Sequence, residues 1–340
     1  MIEIQESLRG ALVGKRFIDL FAGIGSFRYA LESFGAKCVF GSEIDKACLN
    51  IYEKNHGDRP SGDITKIPTD DVPDHDILCA GHPCQSFSIS GKQMGFKDER
   101  GVLFWEIHRI AKAKRPEIII LENVRNLETH DKRRTMRIIS NSLEEIGYRV
   151  RSKVLNASNY GVPQSRERTF TVCVRNDVNP RTEYEFPKPT FEDIRLLDIL
   201  VPPEEASKFE IDFLKFRGAI TYDVDPPKFS AAKCPIRIGQ INSGRQGERV
   251  YHPDGHSITL SSGGGGIGAK TGLYKVGNVV RRLTPKECAR LTGLPEDFIM
   301  HDSPNQCYAQ FGNSVVVDVV QRVVEELTKQ GFLGSMEGAS

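Results

Sequence analysis

The sequence has no long hydrophobic run, almost no net charge, a single tryptophan and no cysteine pair at metal-binding spacing, and each absence narrows what the chain can be. No uninterrupted apolar stretch approaches the roughly 20 residues of a membrane span. The opening MIEIQESLRG lacks the apolar core of a secretory signal. The expectation is therefore a cytoplasmic chain with no membrane partner. The cysteines, at 38, 48, 79, 84, 173, 234, 288 and 307, include no CxxC and no Cys/His pair at zinc spacing. No metal is expected, and a reducing compartment argues against disulfides. A full dinucleotide fingerprint is missing too: DLFAGIGSF has glycines at 23 and 25 but arginine at 28.

The net charge of +1 hides an uneven distribution. Residues 231–290 hold ten Lys or Arg against three Asp or Glu, a local +7, so the other 280 residues carry 36 cations against 42 anions. A basic segment on a mildly acidic body fits a portion that meets phosphates, or simply a solvated basic face.

What is present is a strand–helix rhythm. FIDLF reads as a buried strand, AGIGS as a glycine turn, FRYALESFG as an amphipathic helix closed by Gly35, and CVFGSE as a second strand. DILCAG at 76–81 and EIIILEN at 117–123 are further strands, the latter apolar enough to be covered on both faces. GVLFWEIHRIAKAKR and TMRIISNSLEEIGY have helical spacing, and RVRSKVLN and RTFTVCVR read as strands. The pattern predicts an α/β fold with a Rossmann-like, mostly parallel sheet and flanking helices. After FPKPT at 186–190 the periodicity weakens, and HSITLSS with the run GGGG at 263–266 points to a smaller, irregular, β-rich domain. Helix returns at TPKECARLTG, with Thr284 as N-cap, Pro285 at the first position and Glu287 at the third. The expected division is a first domain over 1–193 completed by 305–331, a second over 194–284, a hinge over 285–304 and a flexible tail over 332–340.

A glycine turn after a first strand lets backbone approach a ligand at the carboxyl edge of a sheet. Glu43 ends the second strand, where an acid can accept ribose hydroxyls, and Asp63 in GDI ends the next strand-like piece. Separately each is a solvated loop acid; together they suggest an adenosine site. Cys84, in AGHPCQ, follows the fourth strand-like piece on the same edge, and Glu122-Asn123 follow the fifth. A nucleophile and an acid at neighbouring strand ends suit covalent catalysis; alternatively Asn123 caps a helix and Glu122 lies at the surface. In QSRER, Arg166 and Arg168 stand two apart, so on an extended segment they point the same way. They could hold a carboxylate, a phosphate or a pyrimidine carbonyl, or pair with Glu167.

DLFAGIGSF, GHPCQSFSISG, ENV, QSRER and QFGNSV, in this order with a variable region before the last, resemble the DNA (cytosine-5)-methyltransferase family over about residues 15–330. The resemblance implies the S-adenosylmethionine-dependent methyltransferase fold, with residues 194–284 as the target-recognition domain. It implies a cofactor site of Phe21, Gly23, Gly25, Glu43, Ile44, Asp63, Ile64, Pro83, Leu103 and Asn313, with S-adenosylhomocysteine as product. Ile44 replaces a larger aromatic neighbour, and His82 stands where the family commonly has Phe or Pro. Cys84 would attack carbon 6 of cytosine, Glu122 and Arg166 would hold the base at nitrogen 3 and the carbonyl at carbon 2, and Asn123 and Arg168 would support loop and pocket.

The implied partner is double-stranded DNA, from which the base must be flipped. Ser90 and Gln246 would fill the vacated space, Arg249 would contact guanine, Gly264 and Gly265 would let backbone approach closely, and Lys270 would meet phosphate. The enzyme is expected to be monomeric, bacterial and part of a restriction-modification system. Its site would contain a CG step, with GCGC the first expectation, although Ser262-Gly263 lack a large side chain found there in a relative. The alternatives are a tRNA cytosine-5 methyltransferase and a catalytically silent DNA-binding regulator. The basic segment with QGER favours DNA, and the presence of Cys84, Glu122, Arg166 and Arg168 favours an enzyme.

Overall fold

Six strands between residues 16 and 175 form one sheet, in the order β2-β1-β3-β4-β6-β5. The strands are β1 (Arg16–Leu20), β2 (Lys37–Ser42), β3 (Ile77–Ala80), β4 (Ile118–Val124), β5 (Tyr148–Asn156) and β6 (Glu167–Arg175). β1 runs parallel to β2 and β3, β3 parallel to β4, and β6 antiparallel to β4. The computed structural model describes residues 6–82, 102–212, 220–222, 233–264 and 266–334. Pro83, Cys84, Ser90 and Gly265 lie outside the described residues.

Connecting helices explain the parallel pairing: α1 (Ser26–Glu32), α2 (Lys46–His56), α3 (Val102–Lys114) and α4 (Arg134–Glu145). One sheet face, with Ile18, Leu20, Leu78, Ile119 and Leu121, packs on Phe104, Ile107 and Ile110 of α3 and on Ile139 and Leu143 of α4. Alternation sends Phe17 and Asp19 to the other face.

The described residues divide into a larger unit, 6–155, 167–188 and 320–334, and a smaller one, 156–166 and 189–319. Residues 156–166, 189–193 and 285–319, expected outside the second domain, group with the smaller unit. The smaller unit holds α5 (Pro203–Ala206) and a five-stranded sheet of β7 (Thr221–Tyr222), β8 (Ile236–Gln240), β9 (Arg249–His252), β10 (Leu273–Val276) and β11 (Val279–Arg281), in the order β11-β10-β9-β8-β7. Ile236, Ile238, Val250, Leu273 and Val280 form its core. It also holds α6 (Pro285–Thr292), with the expected capping box between Thr284 and Glu287, and α7 (Pro304–Asn313). The last helix, α8 (Val317–Lys329), continues into the larger unit. None of the described helices is long and apolar enough to cross a membrane.

Three local expectations change. HSITLSS makes no strand; its one ladder contact is a bridge between Ser257 and Gln164. The piece ending at Asp63 is a bridge from Ser61 to Ser42 followed by a 3-10 turn that Asp63 caps. The tail begins later than residue 332, because Phe332 and Leu333 are buried and their N–H groups return to the carbonyl of Leu327 after left-handed Gly331.

Candidate active site and nucleic-acid interface

At the carboxyl end of β1 the chain turns through left-handed backbone at Phe21, Gly23 and Gly25, with φ of 60°, 57° and 87°. A non-glycine residue held there is uncommon and marks a backbone fixed by its surroundings. Gly25 has a second requirement: a Cβ would run into the His56 imidazole. Glu43 holds this turn. Its Oε2 accepts the Gly23 N–H at 2.8 Å, and its Oε1 accepts those of Ile44 at 2.7 Å and Asp45 at 2.8 Å. The space where a Gly23 side chain would stand is open. Ile44 is 72% exposed, which leaves it available to an apolar ligand face. Asp63 accepts from the Thr65 hydroxyl at 2.7 Å, and that bond holds its carboxyl below the usual range. Ile64 is buried in the core that Phe21 packs against, and Leu103 lies half-buried on α3. Asn313 is exposed at the last turn of α7, in the smaller unit.

Glu122 and Asn123 occupy the end of β4 rather than a loop after it, and both are buried. The Asn123 amide donates to the His82 carbonyl at 2.9 Å and lies 3.1 Å from His82 Nε2, while its Oδ1 accepts the Val124 N–H at 2.8 Å. If Nε2 accepts, the imidazole proton sits on Nδ1. Asn123 thus fixes the residue from which the chain enters Pro83-Cys84. Burial pushes the His82 imidazole down to about 4, so it is neutral at pH 7. Glu122 Oε1 is 3.1 Å from Arg168 Nε, with side chains 8% and 16% exposed. The pair crosses the β4–β6 ladder diagonally, since Arg168 is opposite Val124.

Arg166 goes elsewhere. Within the smaller unit its Nη1 donates to the Leu260 carbonyl at 3.1 Å and its Nη2 to those of Gly312 at 3.0 Å and Ser314 at 2.6 Å. Strand β6 starts only at Glu167, so alternation does not tie the direction of residue 166 to that of residue 168.

QGER and the glycine-rich loop are interlocked in that unit. Gln246, in the turn before β9, and Arg249, its first residue, are exposed, and the Gly268 N–H donates to the Gly247 carbonyl at 2.9 Å, joining QGER to the glycine-rich loop. Gly264 is exposed in that loop, and Lys270 at its end lies 3.4 Å from the Asn305 carbonyl.

Sequence reasoning missed Gln164, whose buried amide bridges Leu291 and Leu260, and Asp19, buried on the sheet face toward Glu43 and Arg28. An acid inside the apolar run FIDLF was the available signal for Asp19.

A sheet-edge glycine turn with an acid bound to it, and a second acid held against a guanidinium two strands away, form the candidate site of this α/β sheet. The model of the C-5 cytosine-specific DNA methylase family matches residues 15–329, and the chain belongs to that family. It is 47% identical over 323 residues to the type II methyltransferase M.HhaI of Haemophilus parahaemolyticus, covering 95% of this chain and 96% of that one. To the type II methyltransferase M.HaeII of Haemophilus aegyptius it is 42% identical, covering 90% of each. Among solved structures, the Dnmt2 methyltransferase of S. pombe shares the fold with a TM-score of 0.70 at 22% identity, over 93% of this chain and 98% of that one.

Proposed function

We propose that this DNA (cytosine-5)-methyltransferase uses S-adenosylmethionine to methylate a cytosine flipped out of duplex DNA, within a type II restriction-modification system and through a covalent bond to Cys84. The observation that supports it most directly is the join of Asn123, the neighbour of Glu122 in the Glu122–Arg168 pair, to His82, the residue that precedes Pro83-Cys84 in the chain.

The residues at the β1 edge fit the cofactor: an open glycine turn, a carboxylate already oriented by three backbone N–H groups, and an exposed apolar side chain at Ile44. Bound S-adenosylmethionine supplies an electrophilic methyl group. Glu43 would take the ribose hydroxyls, Phe21 and Ile44 would border the adenine, and Asp63, Ile64, Pro83, Leu103 and Asn313 would complete the site.

Carbon 5 of cytosine is a poor nucleophile, so electron density must first be added to the ring. The Cys84 thiolate bonds to carbon 6, and Glu122 gives a proton to nitrogen 3, leaving carbon 5 as an enamine carbon that takes the methyl group. Arg168, ion-paired with Glu122, would support this pocket. Loss of the carbon 5 proton to a base, return of the nitrogen 3 proton to Glu122 and cleavage of the sulfur–carbon bond restore the aromatic ring and the thiolate. Ser90 and Gln246 would fill the space left by the flipped base. Arg249 would read guanine, and Gly264, Gly265 and Lys270 would approach the backbone.

The test is Cys84→Ser with tritiated S-adenosylmethionine on duplex DNA and on tRNA. Wild type should label duplex DNA and form a denaturation-resistant complex with DNA containing 5-fluorocytosine, whose fluorine blocks the last elimination. The serine variant should bind DNA and do neither. Normal turnover by the variant would assign Cys84 a structural role.

A further inference from the structure

We propose that Arg166 is a positioning residue for target recognition: it clasps the base of the glycine-rich recognition loop to the end of α7, and it does not hold the target base. The inference rests on the reading of residues 261–270 as DNA-facing. Arg166 is buried, and three main-chain carbonyls from two separate stretches, Leu260 on one side and Gly312 and Ser314 on the other, converge on its two terminal nitrogens. Carbonyls repel one another when brought together without a donor; a planar guanidinium with donors on both nitrogens satisfies them as a group.

The surroundings make Leu260 the root of the loop. Its N–H donates to Gln164 Oε1 at 3.1 Å, while Gln164 Nε2 is tied to the Leu291 carbonyl at 2.8 Å. Ser165 and Ser257 are bonded through Ser165 N–H at 2.9 Å, and the Thr259 hydroxyl donates to the Ser165 carbonyl. One residue beyond Leu260, the Ser261 N–H donates to the Lys270 carbonyl at 3.0 Å and closes the loop. The clasp leaves no free space: a Cβ at Gly312 would collide with the backbone of Ser261 and Ser262. The loop that carries Gly264 and Lys270, and that bonds QGER through Gly247, is therefore anchored to the QFGNSV turn by one arginine and one glycine.

Arg166→Lys tests this, because a single ammonium cannot span both sets of carbonyls. The variant and wild type are compared on randomised duplex DNA, with methylated positions read by bisulfite sequencing, and in single turnover on the best duplex found for wild type. The clasp predicts a broadened sequence profile and a KM for that duplex raised about tenfold or more, with the rate at saturating DNA reduced by less than about threefold. A rate at saturating DNA reduced a hundredfold with an unchanged KM and profile would return Arg166 to the base pocket and overturn the proposal. Absence of methylation by wild type would instead overturn the function assigned above. If the variant does not fold, hydrogen exchange on wild type decides: the same duplex should slow exchange at both the Ser261 and Ser314 amides. Protection at Ser261 alone would refute the clasp.

Discussion

In the larger unit, strand β3 is buried at all four positions; in the smaller unit, the stretch from Ser257 to Ser262 makes one isolated bridge and is held by the side chains of Gln164 and Arg166. The first arrangement is set by apolar periodicity, which is non-directional and tolerates exchange of one hydrophobe for another of similar volume. The second is set by directional bonds from a few polar side chains to main-chain carbonyls, each of which requires a particular donor. The glycine-turn edge of the larger unit is thus attached to a stiff, repetitive frame, and the glycine-rich loop of the smaller unit to a small number of specific joints.

The comparison is broken most easily at the buried ion pair of the smaller unit. Glu287 accepts both terminal nitrogens of Arg281 at 2.7 and 2.9 Å, the Val201 N–H at 2.9 Å and the Thr284 N–H at 2.7 Å, with side chains 0% and 3% exposed. Glu287→Ala leaves the guanidinium buried without its anion and should cost about 3–5 kcal/mol in urea unfolding. A loss below about 1 kcal/mol would show that this unit does not depend on its charged joints.

The same contrast explains what could be read from sequence. FIDLF, DILCAG and EIIILEN announced their strands because each must be covered, and the TPKE cap announced α6 because a local rule fixes it. HSITLSS has strand composition, yet several of its polar partners come from residues 163–166, about 90 positions away, where no local pattern reports them. The two arginines of QSRER are chemically identical in sequence; only the fold reveals that one meets Glu122 and the other three carbonyls. Glu43 and Glu122 could be placed at strand ends from the apolar runs before them, whereas Asp63 follows only an isolated bridge and the tie from Asn123 to His82 joins residues 41 positions apart, which no local pattern reports.

Next in size is the pH dependence of the larger unit. His82 is neutral in the folded state, with its imidazole lowered to about 4, and titrates near 6.5 when unfolded. Between those values the unfolded chain binds the extra proton, so stability is full above pH 6.5 and falls as pH drops toward 4, by about 3 kcal/mol. His82→Phe removes the ionisable group, and the difference between its stability–pH curve and that of wild type should isolate this slope. Parallel curves would mean that His82 is hydrated in the folded protein.

Glu43 tests the donor edge itself. Glu43→Ala should weaken S-adenosylmethionine binding about 10–100-fold by calorimetry, through loss of charge-assisted hydrogen bonds worth about 1.5–3 kcal/mol each. Glu43→Gln should be nearly as damaging, because an amide nitrogen facing the Gly23 or the Ile44 and Asp45 N–H groups sets donor against donor. Full binding by the glutamine variant would move the ribose contact to another side chain.

The smallest effect lies two residues further on. Asp45 caps α2 by accepting the Ala47 and Cys48 N–H groups at 2.8 and 2.9 Å, while its own N–H is given to Glu43. Asp45→Ala removes the cap but keeps the backbone donor, so stability should fall by about 1 kcal/mol. If the donor edge belongs to the sheet frame, cofactor affinity should change by less than about threefold, since Glu43 still holds Gly23 and Ile44. A larger loss of affinity at full folding would place the ribose carboxylate under the control of the helix start, and the larger unit would then share the dependence on single joints that distinguishes the smaller one.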